Sequence, residues 1–170
     1  MINLKPLTKE NITPFHTWLN DDLAIKYSLS KFQGISSQKD IQNWYLNLIE
    51  DSKNYTTGIF LDKSDKLIGY AGICNISKTN KSGEYFIFIG DRSQWGKGLG
   101  TIATNEIIKY GFHRLNLNRI MLTVSEPNKG GVRAYEKVGF KFEGRLRKAC
   151  YRDGKFHDKI IMSILKSEYC

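Results

Sequence analysis

The sequence predicts a single α+β domain over residues 1–170, and three observations carry that reading. Stretches rich in β-formers come in adjacent pairs joined by turn signals, as in TTGIFLD (56–62) and KLIGYAGICNI (66–76) around the turn DKSDK. A capping signal, Ser37-Gln-Lys-Asp40, opens an amphipathic run in which Ile41, Trp44, Tyr45, Leu48 and Ile49 fall at i, i+3, i+4, i+7 and i+8. The remaining helical and strand-like stretches interleave without strict βαβ alternation.

In chain order, INLKPL (2–7) reads as a short strand, and much of 9–27 as helix, with Thr13-Pro14 positioned to start a fresh turn. The amphipathic helix and the 56–76 hairpin follow. GEYFIFIGD (83–91) is a further strand, after which WGKGLGT (95–101) opens a helix running to about Leu115. NRIMLTVSE (118–126) is a buried-looking strand. NKGGVRAYEKVGF (128–140) is a short helix stopped by glycine, and the rest is a second hairpin turning at Asp153-Gly154. No linker, repeat or low-complexity tract divides the chain.

Composition narrows the function. With 41% hydrophobic and 25% charged residues the chain belongs with globular proteins. No apolar run approaches the roughly 20 residues that cross a bilayer, and the N-terminus lacks a secretory signal, so a cytoplasmic location is expected. Cys74, Cys150 and Cys170 lie far apart with no CxxC spacing and read as reduced thiols. His16, His113 and His157 are equally scattered, which leaves a metal site without support. The net charge of +9 suits an anionic partner. It is densest in GRLRKACYRDGK (144–155), which reads either as a phosphate-attracting face or as a solvated hairpin. Nothing resembles a nucleic-acid-binding motif.

The three alternating glycines 96, 98 and 100 invite comparison with nucleotide loops. A phosphate loop needs GxxxxGK followed by Ser or Thr; here Gly90 stands one residue too far from Gly96-Lys97, and Gly98 occupies the hydroxyl position. A dinucleotide fingerprint matches at Gly98-Leu-Gly100-Thr-Ile-Ala103. About 20 residues on, however, the acidic ribose partner is missing and Leu117-Asn118-Arg119-Ile120 stands there. What remains is shared physics: bare N–H groups at a helix N-terminus, helped by Lys97, suit a pyrophosphate. A pyrophosphate coenzyme without a redox fingerprint points to coenzyme A.

Two motifs then carry a resemblance. The first is Gln or Arg, two residues, Gly, one residue, and Gly or Ala; it falls on Trp95 through Gly100, with Trp95 in place of the usual Gln or Arg. The second covers Asn128 through Phe140, with Asn128, Tyr135, Glu136, Lys137, Gly139 and Phe140 in register, and Gly131 where Ser or Ala is usual. On these, over most of its length, the chain resembles the GNAT superfamily of acetyl-CoA-dependent N-acetyltransferases. WGKGLG, EGRLRKACYRDGKFHD and the closing MSIL further resemble its ribosomal-protein N-terminal, spermidine and amino-sugar acetyltransferases.

The resemblance implies a mixed, mostly antiparallel sheet flanked by helices, with a splayed strand pair at the cofactor site. It implies acetyl-CoA as cosubstrate and no metal, and makes a homodimer an expectation. The backbone near Phe88 and Ile89 would meet the pantetheine arm, and Asn128 would bond it. Trp95, Gly96, Lys97, Gly98, Leu99, Gly100 and Thr101 would form the pyrophosphate loop. Tyr135 would protonate the leaving thiolate; Glu84 would serve as base, with a structural carboxylate or ordered water as alternatives. The expected acceptor is a primary amine, on a protein N-terminus or an amino sugar. A polyamine ranks behind them because a +9 surface repels it, unless an acidic patch such as Asp21-Asp22 intervenes. From another class, a non-catalytic acetyl-CoA sensor fits the same loop.

Overall fold

The computed structural model describes residues 1–28, 32, 34–35 and 37–169; Cys170 lies outside the described residues. Seven strands form one sheet in the order β1-β2-β3-β4-β5-β7-β6: β1 (Ile2–Lys5), β2 (Tyr55–Leu61), β3 (Leu67–Ser77), β4 (Ser82–Ile89), β5 (Arg119–Ser125), β6 (Lys141–Arg152) and β7 (Lys155–Leu165). Every neighbouring pair is antiparallel except β4–β5. The β6–β7 turn has positive φ at both Asp153 (51°) and Gly154 (75°), as a tight primed hairpin turn demands.

Helices cover both faces of the sheet. On one face α4 (Leu99–His113) and α5 (Lys129–Val138) lie over a core that includes Ile59, Ile73, Tyr85, Ile107, Ile108, Phe112, Ile120 and Leu122. On the other, α1 (Thr13–Trp18) and α3 (Gln38–Glu50) meet Phe60, Tyr70 and Phe88 through Phe15, Trp18, Ile41 and Tyr45. Strand alternation divides β4 between the two: Tyr85, Ile87 and Ile89 face the first core, Phe86 and Phe88 the second. Ser37 accepts from the Asp40 N–H at 3.0 Å and starts α3 as its sequence predicts.

The 9–27 segment departs from the single predicted helix. It is a 3₁₀ turn at Lys9–Ile12, then α1, then a short α2 at Asp22–Ile25. The break comes where Asp21 takes extended backbone, accepts from the Leu23 and Ala24 N–H groups, and pairs with Arg92 at 2.7 Å. That ion pair reaches 71 residues along the chain, beyond any local signal.

The edge strand β6 is secured by Glu143, which receives both guanidinium nitrogens of Arg119 on β5 and the Ser163 hydroxyl on β7, at 2.5–2.6 Å. The Arg119 guanidinium, then the Ser163 hydroxyl, hold the Glu143 carboxyl down to about 2. A depressed carboxyl stabilises above its unfolded value and loses that contribution as pH falls from about 4.5 toward 2. Because both side chains are about a third exposed, the contribution is about 1 kcal/mol. Glu143→Gln is therefore expected to lower the urea midpoint at pH 7 and to match wild type near pH 2. An equal gap at both pH values would refute this account.

Candidate active site

The glycine loop links β4 to α4. Gly96 and Gly98 have φ of 75° and 77°, the left-handed region that side chains resist, and a Cβ on either would meet nothing within 4 Å. They therefore turn the chain sharply and leave open space above the helix start. The first α4 bond runs from the Ile102 N–H to the Gly98 carbonyl, so the N–H groups of Leu99, Gly100 and Thr101 have no partner within the helix. Unpaired amides at the positive end of a 15-residue helix beneath open space fit a pyrophosphate. Gly100 differs from its neighbours, since its Cβ would touch only Ile89 Cδ1, at 3.5 Å. Trp95, the motif's departure, donates its indole N–H to the Ile89 carbonyl at 2.9 Å and so ties the loop to the end of β4. Lys97 turns aside to donate to Gln94 at 3.2 Å and does not line the cavity described below.

The expected splay is present. β4 and β5 pair only through Ser82–Glu84 and Arg119–Met121 and then diverge. Beyond Glu84, alternation turns the backbone of Ile87 and Ile89 toward the gap, while Phe88 pairs with Tyr70 of β3. The free strand edge near Phe88 and Ile89 is thus supplied by Ile87 and by the Ile89 N–H, the Ile89 carbonyl being taken by the Trp95 indole. The Phe88 side chain packs instead between Phe32 and Trp18, at centroid distances of 5.1 and 6.2 Å.

Asn128 caps α5, its Oδ1 accepting from the Gly131 N–H at 3.0 Å. A Cβ on residue 131 would come within 2.7 Å of the Asn128 amide nitrogen, so the Ser or Ala that the motif has there would require the Asn128 side chain to shift. One turn further, the Tyr135 ring meets Tyr85 edge-on at 6.1 Å and Phe140 at 6.0 Å. Burial pushes its phenol up to about 12, so it is protonated throughout the neutral range. Tyr85 shares a hydroxyl contact of 2.9 Å with Thr104, which back-bonds to the Gly100 carbonyl.

These elements enclose a cavity of about 940 Å³ that runs through the splay from one face of the sheet to the other. Every expected site residue except Lys97 lines it. Tyr135 belongs to the α4/α5 side. Glu84 alternates with Phe86 and Phe88 and so lies on the α3 side, its Oε2 accepting from the Asn75 amide at 2.9 Å. The two expected catalytic side chains therefore approach the gap from opposite faces of the sheet.

The α3-side walls include Leu23, Ala24, Tyr27, Ser28, Trp44 and Phe86, with three further charged groups: Asp51 and Lys159, which no sequence motif marks, and Arg152, which belongs to the basic run 144–155 expected as either a phosphate-attracting face or a solvated hairpin. Asp21 and Asp22 do not line the cavity. In the rest of the 144–155 run, Arg145 is neutralised by Glu126 and Asp158, at 2.6 and 3.5 Å. Among the described residues no His, Cys, Asp or Glu side chains gather as a metal site, and no helix is long and apolar enough to cross a membrane.

Comparison with known proteins agrees with this geometry. Spermidine N(1)-acetyltransferase of Vibrio cholerae serotype O1 is 35% identical over 99% of this chain and 95% of its own. The Escherichia coli K12 enzyme of the same name is 26% identical over 99% and 88%. A crystal structure of the Vibrio cholerae spermidine N-acetyltransferase with CoA and spermine superposes with a TM-score of 0.88, at 27% identity, over 99% of this chain and 97% of that one. The acetyltransferase (GNAT) domain pattern matches residues 2–141, and with its glycine loop, splayed strands and Tyr135 helix in place, the chain belongs to the GNAT family of acetyl-CoA-dependent N-acetyltransferases.

Proposed function

We propose that the acceptor is an aliphatic amine of the polyamine class, recognised on the α3 side of the sheet. The observation that carries this is the pair of carboxylates, Asp51 and Glu84, set among Tyr27, Trp44 and Phe86 in that half of the cavity. Carboxylates and aromatic faces are what alkylammonium groups select. The similarity to spermidine acetyltransferases supports the same reading. It reverses the ranking from net charge because surface charges beyond about 8 Å are screened at physiological salt, so the groups nearest the amine decide, and at this end of the cavity those are Asp51 and Glu84.

In this reading the α4 N–H groups hold the pyrophosphate and the Ile89 backbone holds the pantetheine. The amine arrives from the α3 face. An alkylammonium of pKa about 10.4 must lose a proton before it can attack a thioester carbonyl, and Glu84 is the carboxylate placed to receive it, directly or through water. Tyr135 on the other face donates toward the sulfur as thiolate charge develops.

The test is release of free thiol with spermidine, with a peptide bearing a free N-terminus and with an amino-sugar nucleotide. Spermidine is expected to react fastest, and Asp51→Asn to raise its KM about tenfold with little change in kcat. Faster reaction of the peptide or the sugar nucleotide would overturn the proposal.

A further inference from the structure

The α3-side half of the cavity contains a buried cation with a spare donor. Arg152, near the end of β6, is only 6% exposed and lines the cavity. Its Nη1 donates to the Tyr151 carbonyl at 2.8 Å and its Nη2 to the Ser28 carbonyl at 3.0 Å. The Nε–H is buried and has no partner among the described residues. No carboxylate pairs with this guanidinium among the described residues, and positions 29–31, 33 and 36 contain no Asp or Glu. Guanidinium is charged at every ordinary pH, and an uncompensated buried charge is costly. Two backbone carbonyls satisfy two of five N–H groups and neutralise none of the charge.

The sheet places this group beyond the end of β5, at the end of the α3-side chamber away from Glu84. Cys150, two residues before Arg152, contacts Ser125 at the end of β5 through sulfur and hydroxyl at 3.4 Å. Arg152 follows on the same face, about 7 Å further along the strand. Lys159, opposite Ser125 on β7, lines the same end. The α3-side chamber is therefore polar: Asp51 and Glu84 mark one end, Arg152 and Lys159 the other.

We propose that Arg152 binds a carboxylate of the acceptor through the guanidinium N–H groups that the Tyr151 and Ser28 carbonyls leave free, and that among aliphatic diamines the acceptor preferred is accordingly one that carries a carboxylate. This rests on the reading of the α3 side as the amine site and refines it: the ammonium lies toward Asp51 and Glu84, and the carboxylate toward Arg152. No step of acetyl transfer changes; the guanidinium selects and orients.

Two pairs of amines that differ only by that carboxylate test it: L-lysine against cadaverine and L-ornithine against putrescine. Binding to the protein–CoA complex is read by calorimetry, and thiol release from acetyl-CoA is measured separately. Wild type is expected to bind each amino acid at least tenfold more tightly than its decarboxylated partner, and Arg152→Leu to bring that ratio to about one. Arg152→Lys keeps the charge and removes the guanidinium N–H groups; it is expected to give an intermediate ratio, and serves if the leucine variant does not fold. A wild-type ratio of one or below, or a preference unchanged in both variants, would overturn the proposal and leave Arg152 as a tie between the hairpin and Ser28, with the polyamine reading intact. Tight, Arg152-dependent binding of the amino acids without thiol release from any diamine would uphold the subsite while the acceptor reading falls.

Discussion

Gly98→Val is expected to weaken acetyl-CoA binding about 100-fold while the sheet stays folded. Two effects add. Residue 98 holds φ at 77°, and a β-branched side chain there costs about 1–3 kcal/mol, which the loop relieves by leaving its binding shape. The valine methyl groups would also occupy the open space over the Leu99, Gly100 and Thr101 amides, where two charge-assisted hydrogen bonds are worth about 3 kcal/mol or more. Losing about 2.7 kcal/mol of binding is a factor of about 100. Gly100→Ala makes a graded comparison, because its added carbon would meet only Ile89 Cδ1 at ordinary contact distance and its backbone needs no positive φ. A much smaller loss is expected there. Calorimetric titration with acetyl-CoA checks both, and normal binding by Gly98→Val would mean that the glycines serve only the turn.

What could be read without coordinates follows from how local each cause is. The loop was legible because a left-handed backbone at 96 and 98 demands glycine and a helix begins at once, both recorded within seven residues. Asn128 and Tyr135 were expected from the motif resemblance and not from spacing, which alone reads Tyr135 as a buried aromatic; one helix, α5, carries both in register. The break in 9–27 was hidden by the Asp21–Arg92 pair, and the burial of Arg152 by a carbonyl 124 residues away. The proposed acceptor side is lined from α2, α3, β4 and β6, whose side chains share no spacing rule. Net charge is blind to the same arrangement: it sums the whole chain, whereas the proposed amine site is the one end of the chamber marked by Asp51 and Glu84, with Arg152 and Lys159 at the other.

Tyr135→Phe is expected to leave acetyl-CoA binding nearly unchanged and to lower kcat by about 100-fold, the range for removing a positioned proton donor. Binding should survive because the ring's contacts with Tyr85 and Phe140 do not involve the hydroxyl. The phenol, pushed up to about 12, constrains what it contributes. A thiol of ordinary pKa about 8.5 gives a thiolate too weakly basic to take that proton fully; transfer would be uphill by about 5 kcal/mol. In the proposed mechanism Tyr135 therefore acts mainly by donating a hydrogen bond to sulfur as charge develops, with water completing the protonation. Two consequences separate this from a purely structural tyrosine. Wild-type kcat should show no alkaline decline from Tyr135 below about pH 11, since the phenol stays protonated until then. The phenylalanine variant should recover when the leaving thiol is made more acidic, because a stabilised thiolate needs the donor less. A variant that loses coenzyme affinity along with turnover, and gains nothing from an activated thioester, would place Tyr135 among the packing residues of α5 and leave the thiolate without a side-chain donor from this face.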